Sequence, residues 1–247
     1  MDALTALRLQ IEWGADEAIA EQPLDRFAAV PALVSPAPAQ VMAPVIATIT
    51  PIKKPGPSQA RTIDELRQML DQFDECGLRR TATKTVFTDG NPDAGLMLVG
   101  EAPGAEEDVA GLPFVGPSGK LLDRMLASIG LDRTQCLFTN LIPWRPPGNR
   151  PPTDHEVTQC LPFLIRHIEL MAPKRLVLLG ALASQALLGR TDGIRRLRGQ
   201  WTELKLPGLP APIPVLPMYH PTYLLRTHAA KREAWADLIS LKLALLD

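Results

Sequence analysis

Three polar residues of different chemistry each stand at the end of a short apolar run. Glu101 follows LMLVG (96–100) in the turn Gly100-Glu101-Ala102-Pro103-Gly104. Asn140 lies within CLFTNLIP (136–143), and His220 closes PIPVLPMYH (212–220) just before Pro221. A carboxylate can orient water or stabilise a nearby cation. An imidazole can donate to a developing anion. An amide can both donate and accept. Each alone has a plain structural reading: a turn, a loop cap, a satisfied core histidine. Their common place is what points to function, because open α/β sheets collect reactive groups at the carboxyl ends of their strands. The loop after the first run adds Glu106, Glu107 and Asp108, then Phe114 inside Gly111-Leu-Pro-Phe114-Val-Gly116. An aromatic held there reads as a stacking platform for a flat ligand, or as a core anchor for the loop.

The elements that must position these groups follow from periodicity. Thr62-Ile-Asp-Glu65 reads as a capping box, with Leu66, Met69, Leu70 and Phe73 behind it at helical spacing. SGKLLDRMLASI (118–129) is helical and closed by Gly130. A second capping box, Thr153-Asp-His-Glu156, opens a helix to about Met171. RLVLLG (175–180) is a further buried strand, followed by helical ALASQALLG, and a last helix runs from about 229 to 246. Strands alternating with helices at this rhythm mean an α/β fold with a parallel sheet covered on both faces.

The chain has 247 residues, 46% hydrophobic and 21% charged, enough for a packed core. Apolar runs are short and broken by prolines or charges, so none spans a membrane. The first residues lack a basic stretch followed by an apolar one, so no signal peptide is expected. Three widely spaced cysteines, Cys76, Cys136 and Cys160, make no disulfide framework and fit a reducing cytoplasm. A net charge of −1 excludes a broadly basic nucleic-acid binder but not a local basic face. Residues 1–28 carry six acids and two bases, and residues 29–60 hold seven prolines, so 1–60 reads as an acidic tail and an Ala/Pro-rich linker. Within the tail, residues 3–13 suit a short amphipathic helix. Residues 61–247 then read as the folded domain, with basic clusters at Arg195, Arg196 and Arg198 and around Arg226.

Four ordered motifs carry a resemblance: GEAPGAEED, GLPFVGPSGKLLDRML, TNLIPWRPPGNRPPT and HPTYLLR. Together they resemble the uracil-DNA glycosylase superfamily, its family 4 branch, over roughly residues 62–247. The resemblance implies a three-layer α/β/α sandwich with a four-stranded parallel sheet, and excision of uracil from DNA by a monomer. It implies that Glu101 lies beside the sugar and the attacking water. Ala102 stands where family 1 enzymes place a water-activating Asp. Phe114 would stack on the flipped uracil, Asn140 would read its edge, and His220 would hydrogen-bond O2. Gly104 occupies the position of a family 1 Tyr, and Glu107 would crowd the thymine methyl instead. Leu224 would be the wedge pushed into the duplex, with Arg226 and the Arg195, Arg196 and Arg198 cluster on phosphates.

Those residue types suit the chemistry. Breaking the C1′–N1 bond leaves a sugar cation and an anionic base. Asn140 can donate to O4 and accept from N3–H, a pattern that rejects cytosine. Flipping costs a few kcal/mol, which an inserted leucine and phosphate contacts offset.

One departure concerns metal. Family 4 enzymes typically hold a [4Fe–4S] cluster on four cysteines. Here Cys76 and Cys160 match two ligands, while Phe73 and Trp144 stand at the others, so the expectation is no cofactor and no metal. A related subgroup traps abasic sites through an inserted basic loop, which WRPPGNRPPTDHE (144–156) lacks. Two rival readings remain: a non-catalytic binder of uracil or abasic DNA, and a nucleotide-binding α/β enzyme. The last is disfavoured because GEAPG has the spacing of neither GxGxxG nor a P-loop.

Overall fold

The structure is a computed structural model that describes residues 56–246. The chain divides into two units, Met1–Ile52 and Lys53–Asp247, and everything below concerns the second. The expected amphipathic helix at 3–13 and most of the linker lie outside the described residues. Ordered packing begins slightly before residue 61: Ala60 is fully buried, and its carbonyl accepts from Arg166 Nε at 2.8 Å.

The apolar runs become strands. β1 (Thr88–Gly90), β2 (Leu96–Gly100), β3 (Leu137–Asn140), β4 (Arg175–Leu179), β5 (Thr202–Leu204) and β6 (Ile213–Met218) form one sheet in the order β1-β3-β2-β4-β6-β5. The central four are parallel, as expected. The sheet differs from the expectation in its two edges, where β1 and β5 run antiparallel. Each has three residues, too few for alternation to register in sequence.

The helices are α1 (Ile63–Asp71), α2 (Ala105–Ala110), α3 (Pro117–Ala127), α4 (Asp154–Met171), α5 (Ala181–Leu188), α6 (Ile194–Leu197), α7 (Pro221–Arg226) and α8 (Lys231–Leu246). The Thr153–Glu156 box forms in both directions, Glu156 N to Thr153 Oγ1 and Thr153 N to Glu156 Oε2. At Thr62 only one half forms: Glu65 N donates to Thr62 Oγ1, but the Glu65 carboxylate accepts from Arg61 N.

Strand side chains alternate between two cores. Met97, Val99, Leu176 and Leu178 pack against Leu66, Leu70, Phe163 and Leu164 of α1 and α4. Leu96, Leu98, Val177 and Leu179 pack against Leu122, Leu126, Leu238 and Leu241 of α3 and α8. The result is a three-layer α/β/α sandwich whose parallel strands all deliver their carboxyl ends to one edge. Among the described residues no helix is long and apolar enough to cross a membrane.

Candidate active site

The register of the sheet brings the three strand ends together. Gly100 pairs with Asn140 across β2 and β3. Gly100 must lack a side chain, because an added Cβ would fall within contact distance of Asn140 Oδ1 and would lie 2.6 Å from Phe114 Cζ. Both groups therefore converge over the end of β2. The Phe114 ring lies 6.1 Å from the His220 ring and 6.0 Å from Phe138. Phe114 and Asn140 are almost wholly buried, at 4% and 7% exposure. Glu101 begins the turn beyond Gly100, and burial alone raises its carboxyl above the usual range. Ala102 packs on the α4-side core and offers no chemistry.

His220 is the N-cap of α7. Its Nδ1 accepts from Thr222 N at 3.2 Å. That bond places the neutral ring's proton on Nε2. Burial lowers the imidazole to about 4, so it stays neutral near pH 7 and acts as a hydrogen-bond donor.

Glu107 is built into the loop. Its Oε2 accepts from Gly104 N at 3.1 Å and its Oε1 from Gly116 N at 2.8 Å. It thus joins the start of α2 to the start of α3, on either side of Phe114. A Cβ at Gly104 would lie 2.7 Å from Glu107 Oε2, so the carboxylate fills the space a larger residue at 104 would claim. Asp108 accepts from Thr83 N and Oγ1, a structural tie.

Two residues expected to contact DNA are engaged within the fold. Leu224 is 1% exposed, packed with Tyr219, Ala230 and Ala234, because it shares the inward face of α7 with Pro221. The next residue, Leu225, turns outward at 36% exposure. Arg198 is committed elsewhere: Nε donates to Asp237 Oδ2 at 2.9 Å, Nη2 to Asp237 Oδ1 and to Glu233 O, and its guanidinium lies over Tyr219. Arg195, Arg196 and Arg226 are exposed, Arg195 touching the Tyr223 hydroxyl at 3.4 Å.

Sequence reasoning missed three residues. Arg133 donates to the Phe114 carbonyl, to Asp89 at 2.6 Å and to Asp123 at 2.9 Å, and sits over Phe138, so it holds the Phe114 backbone. Phe114 itself has φ +56, an unusual conformation for an aromatic residue. Gly119 lets α3 pass under it, since a Cβ there would collide with the Phe114 carbonyl. Gly180, with φ +100 at the end of β4, sits where a Cβ would lie 3.3 Å from His220 Cβ. Its place at the end of RLVLLG was the available signal, the same one that marked Glu101 and His220.

The thiols bear on the metal question. A [4Fe–4S] cluster needs four thiolates. Cys76 and Cys160 are fully buried in the α4-side core, while Cys136 lies on the other face of the sheet. All three of the chain's cysteines are free and described. A hydrogen bond from Cys160 lowers Cys76 to about 7, and the same contact together with burial pushes Cys160 up. Phe73 and Trp144 at the remaining positions have no atom that binds iron. Among the described residues no group of three His, Cys, Asp or Glu side chains could hold a metal. The residues present do not fit the cluster.

The carboxyl ends of the parallel strands thus bring a carboxylate, an amide, a neutral imidazole and an aromatic ring to one edge of the sheet. The uracil DNA glycosylase superfamily model matches residues 87–239. A Type-4 uracil-DNA glycosylase of Pyrobaculum aerophilum is 35% identical over 180 residues, 71% of this chain and 91% of the relative. One of Archaeoglobus fulgidus is 38% identical over 180 residues, 71% and 89%. One of Thermotoga maritima is 38% identical over 158 residues, 62% and 78%. The chain belongs to the uracil-DNA glycosylase superfamily.

Proposed function

We propose that this chain flips uracil out of DNA and hydrolyses its N-glycosidic bond, leaving an abasic site, as the first step of base-excision repair. The observation that carries this is the convergence of Asn140 Oδ1 and the Phe114 ring on Gly100, with His220 6.1 Å from Phe114.

The flipped base stacks on Phe114, and the Asn140 amide reads O4 and N3–H. As the C1′–N1 bond breaks, its electron pair moves onto the uracil. His220, lowered to about 4, is the neutral imidazole at pH 7; its Nε2–H donates to O2, where charge gathers, and stays on the ring because a neutral imidazole is a very weak acid. The Glu101 carboxylate faces the sugar cation, orients the water that adds to C1′ and takes the proton that water sheds, while the uracil leaves as its anion. With Ala102 beside it, Glu101 does this without a second carboxylate. Glu107 crowds the C5 side beside Gly104 and disfavours the thymine methyl.

Leu225 takes the wedge role that the motif assigned to Leu224, which instead anchors α7. Arg195, Arg196 and Arg226 contact phosphates. The catalytic unit is residues 61–247, acting as a monomer without a metal or iron–sulfur group, with 1–60 as an extension. Three buried free thiols suit a reducing cytoplasm.

The test is a single-turnover assay on a uracil-containing oligonucleotide followed by alkali. Cleavage at uracil, absent from the matching cytosine strand, supports the proposal. Tight binding with no alkali-labile site would make the protein a binder instead.

A further inference from the structure

Phe73, Cys76, Trp144, Cys160 and Phe163 belong to one core cluster on the α4 side of the sheet. Phe73 stacks on Trp144, centroids 6.4 Å apart and planes 8° from parallel. It meets Phe163 edge-on at 5.0 Å and 66°. Phe163 is one helical turn from Cys160 on α4. Cys160 and Cys76, the latter three residues after Phe73, are both fully buried in this cluster.

Trp144 is 1% exposed, and its Nε1 donates to Thr85 Oγ1 at 3.2 Å. It ends the segment that continues β3. In that segment Leu141 N bonds Gly100 O at 2.9 Å, Ile142 N bonds Glu101 O at 3.0 Å, and Pro143 O accepts from Val86 N at 2.8 Å. The backbone of Gly100 and Glu101 is therefore tied to a strand extension that the Trp144 ring anchors.

We infer that this cluster is an aromatic plug, in which Phe73, Trp144 and Phe163 fill the space of the iron–sulfur cluster implied by the family resemblance and pin the segment just after α1, the 141–144 segment and α4 together. The inference rests on the metal-free reading proposed above. Buried aromatic area and stacking supply the cohesion that four metal–sulfur bonds would otherwise give. The two thiols behave as small core side chains between the aromatic residues.

Wild type and the variants W144F, W144A and F73C/W144C are expressed in iron-supplied cells and purified without oxygen. Iron and acid-labile sulfide per chain, visible absorbance and melting temperature are measured. Wild type should be colourless and iron-free. W144F should melt within a few degrees of it, while W144A should melt lower by about 6–20 °C, the loss expected for a large aromatic cut from a core of this size. F73C/W144C should acquire iron, sulfide and a band near ~400 nm, because it returns four thiols to one site.

Stoichiometric iron in wild type would overturn the metal-free reading. With iron-free wild type, W144A melting like wild type, or W144F melting like W144A, would overturn the plug alone. A folded F73C/W144C that stays iron-free would show that the four positions do not surround one site. If that variant does not fold, the W144F and W144A melting temperatures decide.

Discussion

Replacing His220 tests a cap that the structure shows and a catalytic role proposed above. Its Nδ1 caps α7 by accepting from Thr222 N at 3.2 Å, and its Nε2–H is the donor proposed for the base. His220→Ala removes both. Loss of an N-cap is worth about 1 kcal/mol, which in a domain of this size lowers the melting temperature by about 2–4 °C. Loss of a donor aimed at a developing anion is worth about 2.7–4 kcal/mol, or 10²–10³ in the chemical step. His220→Asn keeps a good cap but ends short of the place Nε2 occupies. It should therefore melt like wild type and still be slow by about 10²-fold or more. The assay is single-turnover excision from a uracil oligonucleotide, with DNA affinity measured separately by anisotropy. Affinity should change far less than rate in both variants, because the bond to O2 strengthens only as charge develops. Recovery of wild-type rate in His220→Asn would reduce His220 to a helix cap and refute the catalytic assignment.

Asn140→Asp should slow uracil excision by about 10²-fold, since a carboxylate cannot donate to O4; an unchanged rate would take Asn140 out of the pocket. Because burial raises the Glu101 carboxyl, the excision rate should fall on acidification at a pH above the ordinary glutamate range, and Glu101→Gln should be slow and lose that limb in a pH–rate profile. His167 is 2% exposed, its Nε2 has no hydrogen-bond partner among the described residues, and burial lowers it from 6.5 to about 4. The unfolded chain then binds the proton more readily, so stability should be full above pH 6.5 and fall by roughly 3 kcal/mol as pH drops toward 4; denaturant titrations of His167→Leu should show a flatter pH profile. Removing Arg195 and Arg196 together should reduce the salt slope of DNA binding, whereas Arg198→Met should chiefly lower the melting temperature by freeing buried Asp237; the opposite pattern would reverse these assignments.

The central strands were legible because each is a short, mostly apolar run, nearly unbroken in β2 and β4 and carrying prolines in β6, the mark of a strand buried on both faces. Their ends then located Glu101, Asn140 and His220, and the register of β2 with β3 brought two of them together. The edge strands left no such mark at three residues apiece. Arg133 was invisible for another reason: within GLDRTQC it looks like surface charge, and only the fold carries it back to the Phe114 carbonyl. Leu224 and Leu225 cannot be told apart by composition. Which one faces outward depends on the phase of α7, set by the His220 cap and Pro221. Arg198 likewise sat in a basic cluster in sequence, yet its partner Asp237 lies 39 residues on, beyond the reach of local pattern.

The pocket itself is tested most directly by a crystal structure of the protein with free uracil. The ring should lie on Phe114, with the Asn140 amide at O4 and N3 and His220 Nε2 at O2, each at about 2.7–3.1 Å. Uracil bound away from Phe114, or seated there with Asn140 and His220 both turned from its edge, would contradict the assignment.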